Sequence, residues 1–98
     1  MPSADFLLVV SYDIADDAQR RKASRVLADY GTRVQFSVFE CLIAPRRFGD
    51  LRRKLAKILT GEDSIRYYRL CASCAREVRA EGKGRDLGPE ETPPVIVV

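Results

Sequence analysis

The chain contains no histidine. That absence removes the usual general base near neutral pH, the commonest nitrogen ligand for a metal, and every device that pairs serine or cysteine with imidazole. Cysteine is scarce: three residues, odd in number and too few for a disulfide framework, which points to a reducing compartment and a cytoplasmic protein. No apolar run approaches the roughly 20 residues that a membrane-spanning helix needs, so no membrane association is expected. The N-terminus shows no basic segment ahead of an apolar one and no small-residue cleavage pattern, so no secretory signal is expected. Ninety-eight residues suffice for one modest core and are too few for a two-lobed active site.

What is present is charge, unevenly distributed. Residues 20–57 hold eleven Lys or Arg against three acids, Asp29, Glu40 and Asp50, whereas the remainder holds six basic residues against eleven acidic ones. A basic half of this kind suggests an anionic partner, most often nucleic acid. The alternative is a pair of solvated helix faces that carry arginine. On the first reading the candidate contacts are Arg20, Arg21 and Arg25 in one segment and Arg46, Arg47, Arg53, Lys54 and Lys57 in another.

The stretch Phe6-Leu7-Leu8-Val9-Val10-Ser11-Tyr12-Asp13 is apolar at both parities and ends abruptly at a tyrosine and an aspartate. It reads as a strand buried on both sides. Asp13 falls where the strand leaves the sheet, a rigid place from which a carboxylate meets solvent. A turn back to the backbone is the competing role for it.

Farther along, Asp16 or Asp17 is suited to cap a helix. Ala23, Val26, Leu27 and Tyr30 form its apolar stripe, with Ser24 on another face, and Gly31 follows as a left-handed stop. Over 32–43, Val34, Phe36 and Val38 alternate with Arg33, Gln35 and Ser37, after which Phe39, Cys41 and Ile43 take the apolar role. The parity shift implies a bulge or tight turn near Ser37, in two short strands or one long bent strand. Pro45 suits the first turn of a second helix, with Phe48, Leu51, Leu55, Ile58 and Leu59 inward. Ser64 to Leu70 is a further strand, and a short helical turn is expected within 71–80. Tyr67 and Tyr68 are candidates for base stacking, although strand tyrosines more often pack. Residues 81–98 contain glycine and proline without periodicity and close on Val95-Ile96-Val97-Val98, a linker and an edge strand suited to pairing with a partner subunit.

The order strand, helix, strands, helix, strand implies an α+β, ferredoxin-like βαββαβ sandwich over 1–80, with one antiparallel sheet and both helices on one face. No aromatic motif of an RNA-recognition domain is present. Three blocks then become specific: VSYDI at the end of the first strand, DDAQRRKASRVLADYGTRVQFSVFEC after it, and SIRYYRLCASC. In this order they resemble the small CRISPR-associated endoribonuclease family, the smaller of the two proteins shared across CRISPR spacer acquisition. The resemblance covers about residues 6–75. It implies a ferredoxin-like homodimer that partners the CRISPR integrase subunit, with divalent-metal-dependent nuclease activity on RNA or double-stranded DNA. It puts the catalytic, metal-binding aspartate at Asp13 and assisting positions at Tyr12, Arg20, Arg33, Ser37 and Phe39.

The chemistry asks for the same stoichiometry. Phosphodiester hydrolysis needs an activated water and charge neutralisation, which a bound Mg²⁺ or Mn²⁺ supplies. Mg²⁺ takes oxygen ligands and often only one or two carboxylates. One well-placed carboxylate per chain makes a weak site, whereas two copies of Asp13 across a two-fold axis make a workable one. A non-catalytic dimeric adaptor that holds DNA for the integrase is the alternative. Finally, Cys71-Ala72-Ser73-Cys74 is a C-x-x-C motif. A redox site of that spacing expects a βαβ setting and a structural zinc expects four ligands, so small buried thiols are the expectation.

Overall fold

The architecture comes from a computed structural model, and the structure describes residues 5–82. The elements are β1 (Phe6–Asp13), α1 (Asp17–Ala28), β2 (Thr32–Gln35), β3 (Val38–Ile43), α2 (Pro45–Ala56), β4 (Ser64–Leu70) and a one-turn α3 (Ala72–Arg76). The sheet order is β2-β3-β1-β4, every neighbouring pair antiparallel. This is the expected ferredoxin-like sandwich, with the most apolar strand at the centre. The expected linker and edge strand, including Val95–Val98, lie outside the described residues from position 83 onward.

Alternation along β1 divides the sheet into two unlike faces. Phe6, Leu8, Val10 and Tyr12 are buried together with Phe39, Cys41 and Ile43 from β3, Ala23 and Leu27 from α1, and Leu51 and Leu55 from α2. Among the described residues the other face carries no helix layer. Leu7, Val9 and Ser11 are only half-buried there, and Leu42 and Tyr68 are exposed at 71% and 49%. The expectation that β1 is buried on both sides is therefore corrected: among the described residues one side is covered and the other is open.

The helices form for the expected reasons, with two amendments. Asp16 caps α1, its Oδ2 accepting from Gln19 N–H at 2.9 Å, and Pro45 occupies the first turn of α2. Ser24 is fully buried rather than outward, because α1 crosses the sheet on small residues, Ala23 and Ser24, flanking Leu27. Gly31 is not left-handed; positive φ among the described residues belongs to Gly61 and Gly82. It is instead a close-approach glycine, since a Cβ there would collide with the Glu40 carbonyl oxygen and lie 2.6 Å from Cys41 Sγ.

Residues 32–43 resolve into two short strands joined by a tight turn at Phe36-Ser37, with an irregularity in the pairing between Arg33 and Gln35. The break reverses the expected parity of β2. Arg33, opposite Phe39, is buried at 3%, while Val34 is half-buried. No helix among the described residues is long and apolar enough to cross a membrane.

Candidate active site at one end of the sheet

Asp13 is the last residue of β1 and is exposed. Its parity with Leu7, Val9 and Ser11 sends the carboxylate to the open face, and its backbone is held opposite Ser64 of β4. Tyr12, one residue earlier, points the other way. Its ring is buried against Phe39, 6.4 Å between centroids, and its hydroxyl donates to the Phe36 carbonyl at 3.4 Å. Tyr12 N–H donates to the Ser37 carbonyl at 3.0 Å, so the β2–β3 turn is fastened to the end of β1 by both the backbone and the side chain of one residue. Arg33 completes that corner from the helix side: its Nε donates to the Gln35 carbonyl at 3.4 Å and its guanidinium lies 5.3 Å from the Phe36 ring centroid.

The structure thus brings Tyr12, Arg33, Ser37 and Phe39 to the end of the sheet beside Asp13 and divides them by role. Phe39 and Tyr12 are core residues, Ser37 holds the strand end through its carbonyl, and Asp13 alone of the five presents a carboxylate outward. Arg20 approaches from α1. Its Nη1 donates to the Ile14 carbonyl at 3.3 Å and its Nη2 pairs with Asp17, which fastens the helix start to the strand end.

A residue not singled out in the sequence belongs to this corner. Asp63 accepts from Ala15 N–H at 3.2 Å, from Thr60 N–H at 3.1 Å and from the Thr60 hydroxyl at 3.3 Å. Its carboxyl is held below the usual range by the Thr60 backbone N–H first and the Ala15 N–H second. Asp63 therefore ties the α2–β4 connection to the segment leaving Asp13. The signal was present in Thr60-Gly61-Glu62-Asp63, an aspartate three residues after a threonine at a turn, which also ends a helix.

As a metal site the single protomer is incomplete. Among the described residues no group of three or more Asp, Glu or Cys side chains is arranged to hold an ion. The other carboxylate on the open face, Glu40, lies opposite Val9, four residues back along β1. Asp16 is committed to its cap and Asp63 to its turn. One carboxylate fits half of a two-carboxylate Mg²⁺ site and no more.

The basic candidates occupy the opposite layer. Arg25 on α1 and Arg46, Arg47, Arg53, Lys54 and Lys57 along α2 are exposed, and Arg21 is half-buried. Arg47 and Lys54 both sit over the Tyr30 ring, at 4.6 and 5.1 Å, and Arg53 pairs with Asp50. Arg52, absent from the sequence candidates, is exposed beside them, 5.7 Å over Phe48. These cations face away from the open sheet and are not brought to Asp13. Tyr67 packs edge-on against Phe48 at 5.3 Å, as a packing residue would, whereas Tyr68 lies on the open face.

The cysteines correct an expectation. Cys41 is buried, but Cys71 and Cys74 are exposed at the junction of β4 and α3, because α3 is a single turn that buries none of its residues.

Comparison with known proteins agrees with the fold. The family model for CRISPR associated protein Cas2 matches residues 6–78. A Chloroflexus aurantiacus protein named CRISPR-associated endoribonuclease Cas2 3 is 48% identical over 77 residues, 78% of this chain and 83% of that protein. The crystal structure of Streptococcus pyogenes Cas2 at pH 6.5 is similar with a TM-score of 0.68 and 35% identity, covering 78% of this chain and 99% of that one. A chain in a partial Cas6-RT-Cas1–Cas2 complex gives a TM-score of 0.67 at 34% identity, covering 76% and 89%. The two-layer α+β sandwich and this agreement over most of its length assign the chain to the Cas2 family of CRISPR-associated proteins.

Proposed function

We propose that the chain works as a homodimeric, divalent-cation-dependent endonuclease on RNA or double-stranded DNA, acting beside the integrase subunit in spacer acquisition. The observation that carries this reading is the parity of β1, which sends Asp13 to the same face as the uncovered apolar residues Leu7, Val9, Leu42 and Tyr68. Two such faces packed against each other across a two-fold axis bury the apolar surface and draw the two Asp13 carboxylates toward one another. The relative named an endoribonuclease and the neighbour from a Cas1–Cas2 complex support the activity and the partner.

Two carboxylates meet what Mg²⁺ or Mn²⁺ asks of a protein, and the cation, when bound, supplies charge neutralisation and an activated water. The chain's own part is positioning. The backbone pairing opposite Ser64 and the grip of Asp63 on Ala15 fix Asp13 from both sides. Tyr12, Phe39 and Arg33 act through packing and through the β2–β3 turn. Arg20 offers a cation at the start of α1 for orienting a phosphate.

Labelled RNA and duplex DNA, each incubated with Mg²⁺ and with EDTA, test the proposal. Cleavage is expected with Mg²⁺ only and is expected to vanish in Asp13→Asn, which keeps size and one oxygen but loses the charge. The variant should dimerise at least as well as the parent, because like-charge repulsion near the axis is relieved. Full cleavage by a folded Asn variant would remove Asp13 from the reaction.

One observation favours a second reading, a non-catalytic DNA-binding adaptor. The exposed cations of α2 face away from Asp13 and would form the outer surface of a dimer joined through its open faces. Tight duplex binding by a wild-type protein that cleaves nothing under any metal would select that reading.

A further inference from the structure

The C-x-x-C motif takes no part in the proposed reaction, and its surroundings differ from those of an inert thiol. Cys71 is the last extended residue before α3, with φ −67° and ψ 165°, and Cys74 lies one turn later. Both are exposed. Cys71 Sγ accepts from Cys74 N–H at 3.4 Å and lies 3.2 Å from the Ser73 hydroxyl. The third cysteine cannot compete, because Cys41 is buried in the core. β4 runs directly into α3 through the motif, which holds both cysteines at one exposed turn.

We propose that Cys71 and Cys74 form a reversible dithiol–disulfide pair that exchanges with low-molecular-weight disulfides, Cys71 being the attacking thiol and Cys74 the resolving one. Donation from the Ser73 hydroxyl first, and from Cys74 N–H second, lowers the Cys71 thiol to about 7, whereas the neighbouring Cys71 side chain raises Cys74. Burial, with a smaller contribution from Glu40, pushes Cys41 up to about 11. The charged groups sharing the groove around Cys71 are Asp5 ahead of β1, Arg69 on β4 and Arg76 on α3.

The exchange balances in two steps. The Cys71 thiolate attacks one sulfur of the external disulfide, forming a mixed disulfide and releasing one thiolate. Cys74, on losing its proton, attacks Cys71 Sγ and releases the second. The pair is oxidised by two electrons, the external disulfide is reduced to two thiols, and the two protons of the dithiol pass to the released thiolates.

The fully reduced 98-residue chain is treated with hydroxyethyl disulfide at pH 7, quenched with acid, and analysed by intact mass and peptide mapping. The expected product is a Cys71–Cys74 bond, a loss of about 2 Da, reversed by dithiothreitol, with Cys41 unmodified. Cys74→Ser should stop at a mixed disulfide on Cys71. That adduct should form about threefold faster than the one on Cys74 in Cys71→Ser, since the gain in thiolate outweighs the loss of nucleophilicity. Both side chains are exposed, so equal thermal midpoints for the two variants provide the folding control. Accumulation of mixed disulfides on both cysteines of the wild type, or a bond from Cys71 to another chain, would overturn the pair. Equal rates in the two variants would overturn the assignment of Cys71 as the attacking thiol.

Discussion

An alanine at Gly31 would place its Cβ 2.6 Å from Cys41 Sγ and 2.8 Å from Cys41 Cα, besides striking the Glu40 carbonyl. Backbone cannot yield as a flexible side chain would, so Gly31→Ala should cost about 3 kcal/mol, at the upper end of overpacking. Gly61 makes the contrasting case. Its φ is +58° with open space around the missing Cβ, so Gly61→Ala should cost only about 1 kcal/mol of backbone strain. Denaturant unfolding of the two variants checks the ordering. At Asp63 the argument runs through pH. Its carboxyl is held low in the folded chain, so its contribution to stability is present above the unfolded value of about 3.9. That contribution is lost as pH falls through the lower folded value. Asp63→Asn should therefore melt below the wild type at neutral pH, and the gap should close in acid; a constant gap would mean the carboxylate is not the cause. Side-chain identity alone announced the Asp16 cap and the place of Asp13 at the strand end. It could not announce Gly31 or Asp63, because what each touches, the β3 backbone and Ala15, arrives from distant sequence.

At the scale of elements, both helix stripes were legible because a 3.6-residue period survives small errors: Leu27, Leu51 and Leu55 are all fully buried. A period of two is less forgiving. The pairing irregularity between Arg33 and Gln35 reversed the faces of β2 and buried an arginine where a valine was expected. On β1, alternation was visible, but a run apolar at both parities concealed that one face stays open. The outer surface of α2 carries its own prediction. Replacing Arg46, Arg53 and Lys57 with Glu should weaken duplex DNA binding and reduce the salt slope by about 3, roughly one per cation lost. Binding isotherms at several salt concentrations measure this. An unchanged slope would move the contact to Arg20, Arg21 and Arg25.

At the largest scale, the sheet face left bare among the described residues dominates. Leu42 and Tyr68 are the large apolar residues exposed on it, and neither supports the protomer's core. Leu42→Glu with Tyr68→Glu should leave the protomer folded and weaken self-association by about tenfold per residue, roughly 1.5 kcal/mol each. Sedimentation and circular dichroism on one preparation separate the two effects, and an unaltered dimer would place the interface elsewhere. A face left open in this way also makes abundance a control. Where each active unit needs two chains, dilution below the dissociation constant makes the yield of active units scale with the square of concentration. On the proposed reading, halving the amount of protein would then leave about a quarter of the cleavage, so low abundance alone would restrain such a nuclease without an inhibitor.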